Sequence, residues 1–167
     1  MTNIRPATPE DVPVILDLIR GLALYEREPH AVEITEAQLL RDGFAPTRRF
    51  ECLIAEEDGA PAGFALFFPI YSTWQGDSLY LEDLFVRPEF RGRGIGKSLL
   101  SRVARLAADR GCARLQWAVL DWNQSAIDFY HSIGAKMLSE WRSMRVTGKD
   151  IEALASLGAQ KNETSPA

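Results

Sequence analysis

The sequence predicts a single mixed α/β domain in which helices flank a mostly antiparallel sheet. Three observations point there. Segments with two-residue alternation and segments with helical spacing succeed one another in the order β-α-α-β-β-β-α-β-α-β-β. Asp58-Gly59 between two apolar runs signals a hairpin, so those strands are antiparallel. A glycine-rich stretch over residues 92–96 joins a strand to the clearest helix of the chain. At 167 residues, 46% of them hydrophobic, the chain can bury a core without help from metal or disulfide.

Each element has its own signal. Asn3–Pro6 reads as a short strand. Thr8 is a natural N-cap, with Pro9 at the first helical position and Asp11 in the first turn. Val12, Ile15, Leu16, Ile19, Leu22 and Ala23 then recur at helical spacing to about Tyr25. Thr35 followed by Gln38 is a capping-box pattern opening a short helix that ends near Gly43. Strands follow at Phe50–Glu56, Ala62–Tyr71 and Ser78–Val86. The helix from Gly94 or Ile95 to Arg110 lines up Ile95, Leu99, Leu100, Val103 and Leu106 on one face, and Gly111 stops it. Arg114–Val119 reads as a strand and Asn123–Ile133 as a helix ending at Gly134. Lys136–Glu140 and Arg142–Val146 are expected to form a last strand pair, and Asp150–Leu157 a terminal helix. The domain is expected over residues 1–158, with 159–167 a polar, mobile tail.

Composition excludes several classes. The formal net charge is −4, which does not suit a nucleic-acid binder. No apolar run approaches the roughly 18 residues of a membrane span, and the first residues lack an apolar signal core. Cys52 and Cys112 lack CxxC spacing and read as reduced thiols, so a cytoplasmic protein is expected. His30 and His131 stand apart, so no metal site is expected. The charge is uneven: residues 1–84 hold 6 basic and 15 acidic side chains, whereas 85–115 hold 8 basic and 2 acidic. A basic block inside an acidic chain suits a bound anion, and the acidic remainder suits a cationic partner.

The anion site is readable in detail. Strand Ser78–Val86 runs through Arg87-Pro88-Glu89-Phe90 into Arg91-Gly92-Arg93-Gly94-Ile95-Gly96 and then a helix. Glycines let the backbone approach a phosphate, and free amides of the first helical turn point at it. Arg91, Arg93 and Lys97 add mobile cations. The spacing misses GxGxxG by one residue, and Arg91 to Ser98 has Arg where a phosphate loop begins with Gly.

The stretch V-x-P-x-F-R-G-x-G-I-G over residues 86–96 resembles the acyl-CoA-binding motif of the GNAT superfamily of N-acetyltransferases. The resemblance implies a GNAT-like fold in which two neighbouring strands splay apart to admit acyl-CoA. It implies pantetheine contacts from Leu84, Phe85 and Val86, and diphosphate contacts from Arg91, Gly92, Arg93, Gly94, Ile95, Gly96, Lys97 and Ser98. Asn123, Ser125, Ala126, Phe129 and Tyr130, followed by Gly134-Ala135, are similar to the second signature of that family. There the Asn contacts pantetheine, with Ser125 and Ala126 beside it, and the Tyr sits beside the thioester sulfur. Arg5-Pro-Ala-Thr8, Tyr25-Glu26, Leu39 to Phe44, Tyr80-Leu-Glu82-Asp83 and Trp122-Asn123 resemble the diamine (spermidine/spermine) acetyltransferase family. Tyr71-Ser-Thr-Trp74 and Ala118 to Gln124 resemble its thialysine N-ε-acetyltransferase branch. The likeness covers about residues 4–145 and departs from the pattern at short segments around Glu57–Pro61 and Leu138–Trp141.

The chemistry such an enzyme needs is present. An alkylamine of pKa ~10.4 is about one part in a thousand neutral near physiological pH; a carboxylate near it can bind the ammonium and accept its proton, directly or through water. Glu82 and Asp83 are the candidates, and the resemblance assigns the base side to Glu82. Adjacent strand residues face opposite sides, so both line one pocket only if the strand is bulged. A phenol at the sulfur can donate a proton as the thiolate leaves, and Tyr130 matches that position. Carboxylates with aromatics suit a flexible cationic chain. The resemblance assigns Tyr25 and Glu26 to the distal end of the amine, with Trp74 and Glu140 as further substrate residues. The expected function is therefore acetyl transfer from acetyl-CoA to a primary amine of a small molecule, thialysine- or lysine-like or a diamine, by direct attack in a homodimer. Two alternatives stand beside it: acetylation of a protein or peptide, and a non-catalytic CoA-binding module.

Overall fold

In the computed structural model, which describes residues 1–159, the chain opens with strand β1 (Thr2–Pro6) and a 3-10 turn at Pro9–Asp11. Arg5 ties these together. Its guanidinium forks onto both oxygens of Asp11 (2.6 and 2.8 Å) and reaches Glu56 Oε1 at 2.8 Å. Asp11 Oδ2 accepts the Thr8 amide at 2.7 Å, completing the expected cap. The Arg5 hydrogen bond above all holds the Asp11 carboxyl down at about 2.

Helix α1 (Val12–Tyr25) follows, then α2 (Glu36–Phe44), which opens on the expected Thr35–Gln38 box: the Thr35 amide donates to Gln38 Oε1 at 2.9 Å. Strands β2 (Glu51–Glu57), β3 (Ala60–Ser72) and β4 (Gly76–Val86) form an antiparallel meander. Asp58 and Gly59 take φ of 51° and 82° at the first hairpin, as a tight primed turn requires. Helix α3 (Ile95–Asp109) crosses over to β5 (Arg114–Gln116), which runs parallel to β4. The sheet order is β1-β2-β3-β4-β5.

Two cores flank this sheet. Ile15, Leu16 and Leu18 of α1 bury against Cys52, Ile54, Phe64, Leu66 and Phe85. Helix α3 packs its buried Leu99, Leu100 and Val103 on β3 and β4. Each such side chain contributes about 1.5–3 kcal/mol on burial.

The pairing of β5 is short and consequential. It extends only over Ser78–Tyr80 against Arg114–Gln116, although Arg114–Val119 is expected as strand. Beyond Tyr80, β4 stays paired with β3 up to Val86 while its β5-side edge is open. The ladder thus ends where the splay is expected.

The described residues fall into two compact units, Met1–Trp122 and the chain from Asn123. The second holds α4 (Gln124–Ser132) and α5 (Lys149–Ala159). The expected strand pair Lys136–Glu140 and Arg142–Val146 is absent: both segments lack any ladder among the described residues. Their alternation suits a strand, but a two-stranded ribbon with no third strand is marginal. The expected mobile tail lies outside the described residues from position 160 on.

Candidate active site

The decisive local feature is a bulge. Leu66 pairs with Asp83 and Phe67 with Leu81, so Glu82 is an extra residue without a partner on β3. Leu66 and Phe67 face opposite sides of the sheet, and their partners do likewise. The inserted Glu82 therefore moves Asp83 and Phe85 to the α1 face while Leu81 stays on the α3 face. Phe85 is only 5% exposed in the α1-side core. Its ring lies where Gly21 of α1 lacks a side chain: a Cβ there would meet Phe85 Cε1 at 2.9 Å.

Asp83 is half-buried, and its carboxyl is pushed up to about 7. Burial is the main cause, with the charges of Glu82 and Glu26 adding to it. Glu26 follows the last residue of α1, and burial raises its pKa too. Glu82 itself is exposed on the bulge. Three of the expected substrate carboxylates thus form one cluster, at the strand end where β4 is open. Burial also pushes the nearby Cys52 thiol up, Asp83 adding to the effect, so this cysteine is no thiolate nucleophile.

Beside the cluster runs a ladder of rings and cations. The Arg91 guanidinium lies 4.6 Å from the Tyr25 ring centroid and 5.6 Å from that of Phe85. Tyr25 lies 6.1 Å from Trp122, and Arg27 caps Trp122 at 4.4 Å. Arg91 Nε donates to the Val86 carbonyl at 2.9 Å, and Arg93 Nη2 to that of Glu89 at 3.2 Å. Both arginines are exposed, with a backbone acceptor within reach of each.

The glycine loop has the geometry of an anion cradle. Gly92 and Gly94 have φ of 75° and 79°, which favours glycine. The first helical bond of α3 is Ser98 N to Gly94 O, at 3.0 Å. The amides of Ile95, Gly96 and Lys97 lie ahead of it and find no acceptor among the described residues. A Cβ on Gly96 would meet only Val86 Cγ2, at 3.7 Å. The packing of the chain itself does not demand that glycine, whereas a phosphate approaching the backbone does. The Ile95 side chain is buried, so only its amide is offered. Lys97 and Ser98 are exposed, and Leu84 and Val86 are half-buried along the open edge.

Asn123 caps α4, its Oδ1 accepting the Ala126 amide at 3.3 Å and the Ser125 hydroxyl at 3.2 Å. Tyr130 lies in the last turn of α4, its ring 5.3 Å from Phe129. Glu140 is exposed on an irregular segment of this second unit. Trp74 is 84% exposed in the β3–β4 turn and stands apart from the carboxylates, which lie roughly 20 Å along the strand.

Three features escape the sequence reading. Gly63 sits opposite Val86, where a Cβ would lie 2.4 Å from the Phe85 carbonyl oxygen; a glycine inside a strand is its only sequence signal. Gly21 makes room for Phe85 from a helix interior, a position that normally disfavours glycine. Arg27 takes a left-handed φ of 67°, for which the sequence carries no signal at all.

Comparison with known proteins places the chain in a family. A model of the acetyltransferase (GNAT) family matches residues 16–135. A thialysine N-epsilon-acetyltransferase of Sus scrofa is 44% identical over 163 residues, covering 91% of this chain and 96% of its own. An L-ornithine N5-acetyltransferase of Arabidopsis thaliana is 33% identical over 202 residues, covering 93% of this chain and 89% of its own. A solved aminoglycoside N-acetyltransferase in complex with CoA is 21% identical and shares the fold, with a TM-score of 0.70 over 89% of this chain and 95% of its own.

Proposed function

The chain belongs to the acetyltransferase (GNAT) family, and from that premise we propose that it transfers acetyl from acetyl-CoA to the side-chain amine of a small amino acid or to a diamine. The observation that carries this is the pair Glu82 and Asp83 on the open strand that leads into the glycine cradle, with Glu26 at the end of α1 adding its charge to theirs. A cluster of acids suits a cationic chain, and a cradle of free amides suits a diphosphate.

Acetyl-CoA supplies the activated acetyl group as a thioester. Backbone groups of Leu84, Phe85 and Val86 would hold its pantetheine arm, a role the family resemblance also gives to Asn123, Ser125 and Ala126. The loop from Arg91 to Ser98 takes the diphosphate. Tyr25 and Glu26 hold the distal end of the amine; Trp74, at the far end of β4, has no part in holding it. Glu82 is the base-side carboxylate that meets the ammonium. Asp83 behind it, with a pKa of about 7, stores the proton at neutral pH. The neutral amine nitrogen bonds to the acetyl carbon as the carbon–sulfur bond breaks. Tyr130 donates its phenolic proton to the departing sulfur; the acetylated nitrogen sheds its one remaining excess proton to give the neutral amide, and that proton returns to the Tyr130 phenolate through solvent.

Direct attack is tested by intact-mass spectrometry. Enzyme mixed with acetyl-CoA alone stays at its own mass, and adding lysine yields N-acetyl-lysine; a stable acetyl adduct on the protein would overturn direct attack.

We also place the protein in the cytoplasm as a homodimer. Both cysteines are unpaired, and no described helix is long and apolar enough to cross a membrane. Met137, Leu138, Trp141, Met144 and Val146 stand exposed on one segment, apolar surface of the kind a partner copy covers. Light scattering giving the mass of one chain would refute the dimer.

A further inference from the structure

Helix α1 ends in a Schellman turn. The Glu28 amide donates to the Ala23 carbonyl at 2.9 Å, and the Arg27 amide to that of Leu24 at 3.2 Å. The position that this turn holds in the left-handed region is usually glycine; here it is Arg27, with φ of 67°. A long side chain kept at a strained position next to a ligand site points to a role for that side chain. Arg27 stacks over Trp122 at 4.4 Å. Among the described residues no carboxylate lies within 4 Å of its guanidinium, although Glu26 and Glu28 are its chain neighbours. Stacking occupies the face of the guanidinium and leaves the N–H edge for a planar acceptor. The residue before it, Glu26, belongs to the acid cluster.

We propose that Arg27 is a specificity residue that binds the α-carboxylate of an amino-acid substrate, so that the site selects lysine- or ornithine-like amino acids over diamines lacking that group. This rests on the acetyltransferase reading above. A cation beside an acid cluster is a poor feature for a polyamine, which is positive at every nitrogen. It suits a zwitterionic head whose side-chain ammonium reaches the carboxylates while its carboxylate meets the fork of Arg27.

The test compares lysine with cadaverine, which differ only in the carboxylate, in the parent enzyme and in Arg27→Gly and Arg27→Lys. The parent favours lysine. In Arg27→Gly the lysine-to-cadaverine ratio of kcat/KM falls about 10- to 100-fold, carried by the KM for lysine, as loss of a charged hydrogen-bonded pair implies. Arg27→Lys recovers part of the ratio. Glycine suits the left-handed turn, so Arg27→Gly melts no lower than the parent. A ratio unchanged in Arg27→Gly overturns the inference while leaving the acetyltransferase reading intact. An equal fall for both amines with a raised KM for acetyl-CoA overturns it too, and moves Arg27 to the co-substrate. A parent enzyme inert on every amine overturns both.

Discussion

Asp83→Asn removes one ionisable group and keeps its shape, so it isolates what the burial of that carboxylate costs the fold. The folded carboxyl has a pKa of about 7 against 3.8 in an open chain. A raised carboxyl binds its proton more tightly in the folded state. The parent therefore loses stability as pH rises from about 4 to about 7, and the loss is complete above that. Roughly three pKa units correspond to about 4 kcal/mol at most. Asp11 works with the opposite sign. Its carboxyl is held at about 2, so its stabilisation is present above 3.8 and lost as pH falls through 2. Arg5 and Asp11 are common to both proteins, and their effect cancels in the difference.

The assay is urea unfolding of parent and Asp83→Asn at pH 4.5, 6, 7 and 8.5. The variant is expected to be more stable than the parent at pH 8.5 by up to about 4 kcal/mol, with the gap closing towards pH 4.5. In the same series, kcat/KM of the parent rises through about pH 7 as Asp83 ionises, and Asp83→Asn loses that limb. Stability curves that run parallel across the whole range would refute the reasoning, because a carboxylate with an ordinary pKa produces no such divergence.

Two further outcomes follow from the same geometry. Tyr130→Phe keeps the ring against Phe129 but removes the phenolic proton; kcat at saturating acetyl-CoA falls about 10²- to 10⁴-fold, as loss of a general acid implies, with little change in the KM for acetyl-CoA. Unchanged turnover would remove Tyr130 from proton transfer. Gly63→Ala drives a methyl group into the Phe85 carbonyl, 2.4 Å away, and the Val86 Cα, 3.1 Å away. Backbone on that side cannot yield, so we expect a loss of about 1–3 kcal/mol in urea unfolding and a raised KM for acetyl-CoA.

Most of this architecture is legible in the residues, because local rules and tertiary contacts agree there. The Thr8 and Thr35 caps, the Asp58-Gly59 hairpin and the Gly111 stop are short-range features, and each stands where its residue type demands. The glycine cradle is legible for the same reason: its chemistry lies in one continuous stretch. The carboxylate cluster is only half legible. Glu82 and Asp83 are visible as a pair, but which one is buried depends on a bulge set by the register against β3. No local signal in β4 announces that register. The raised pKa of Asp83 depends on where α1 ends, since Glu26 adds its charge there. Arg27 runs against the local rule that puts glycine at such a turn, and breaches of that kind gather where a function holds the residue in place. The segment over 136–146 shows the reverse failure: its alternation fits a strand, yet no ladder forms among the described residues.

The deciding measurement is release of free CoA from acetyl-CoA against thialysine, lysine, ornithine, putrescine, spermidine, spermine and a lysine peptide. Saturable turnover is expected with the free amines, greatest for those that carry an α-carboxylate, and little with the peptide. Tight binding of acetyl-CoA with no turnover of any amine, or turnover of the peptide alone, would contradict it.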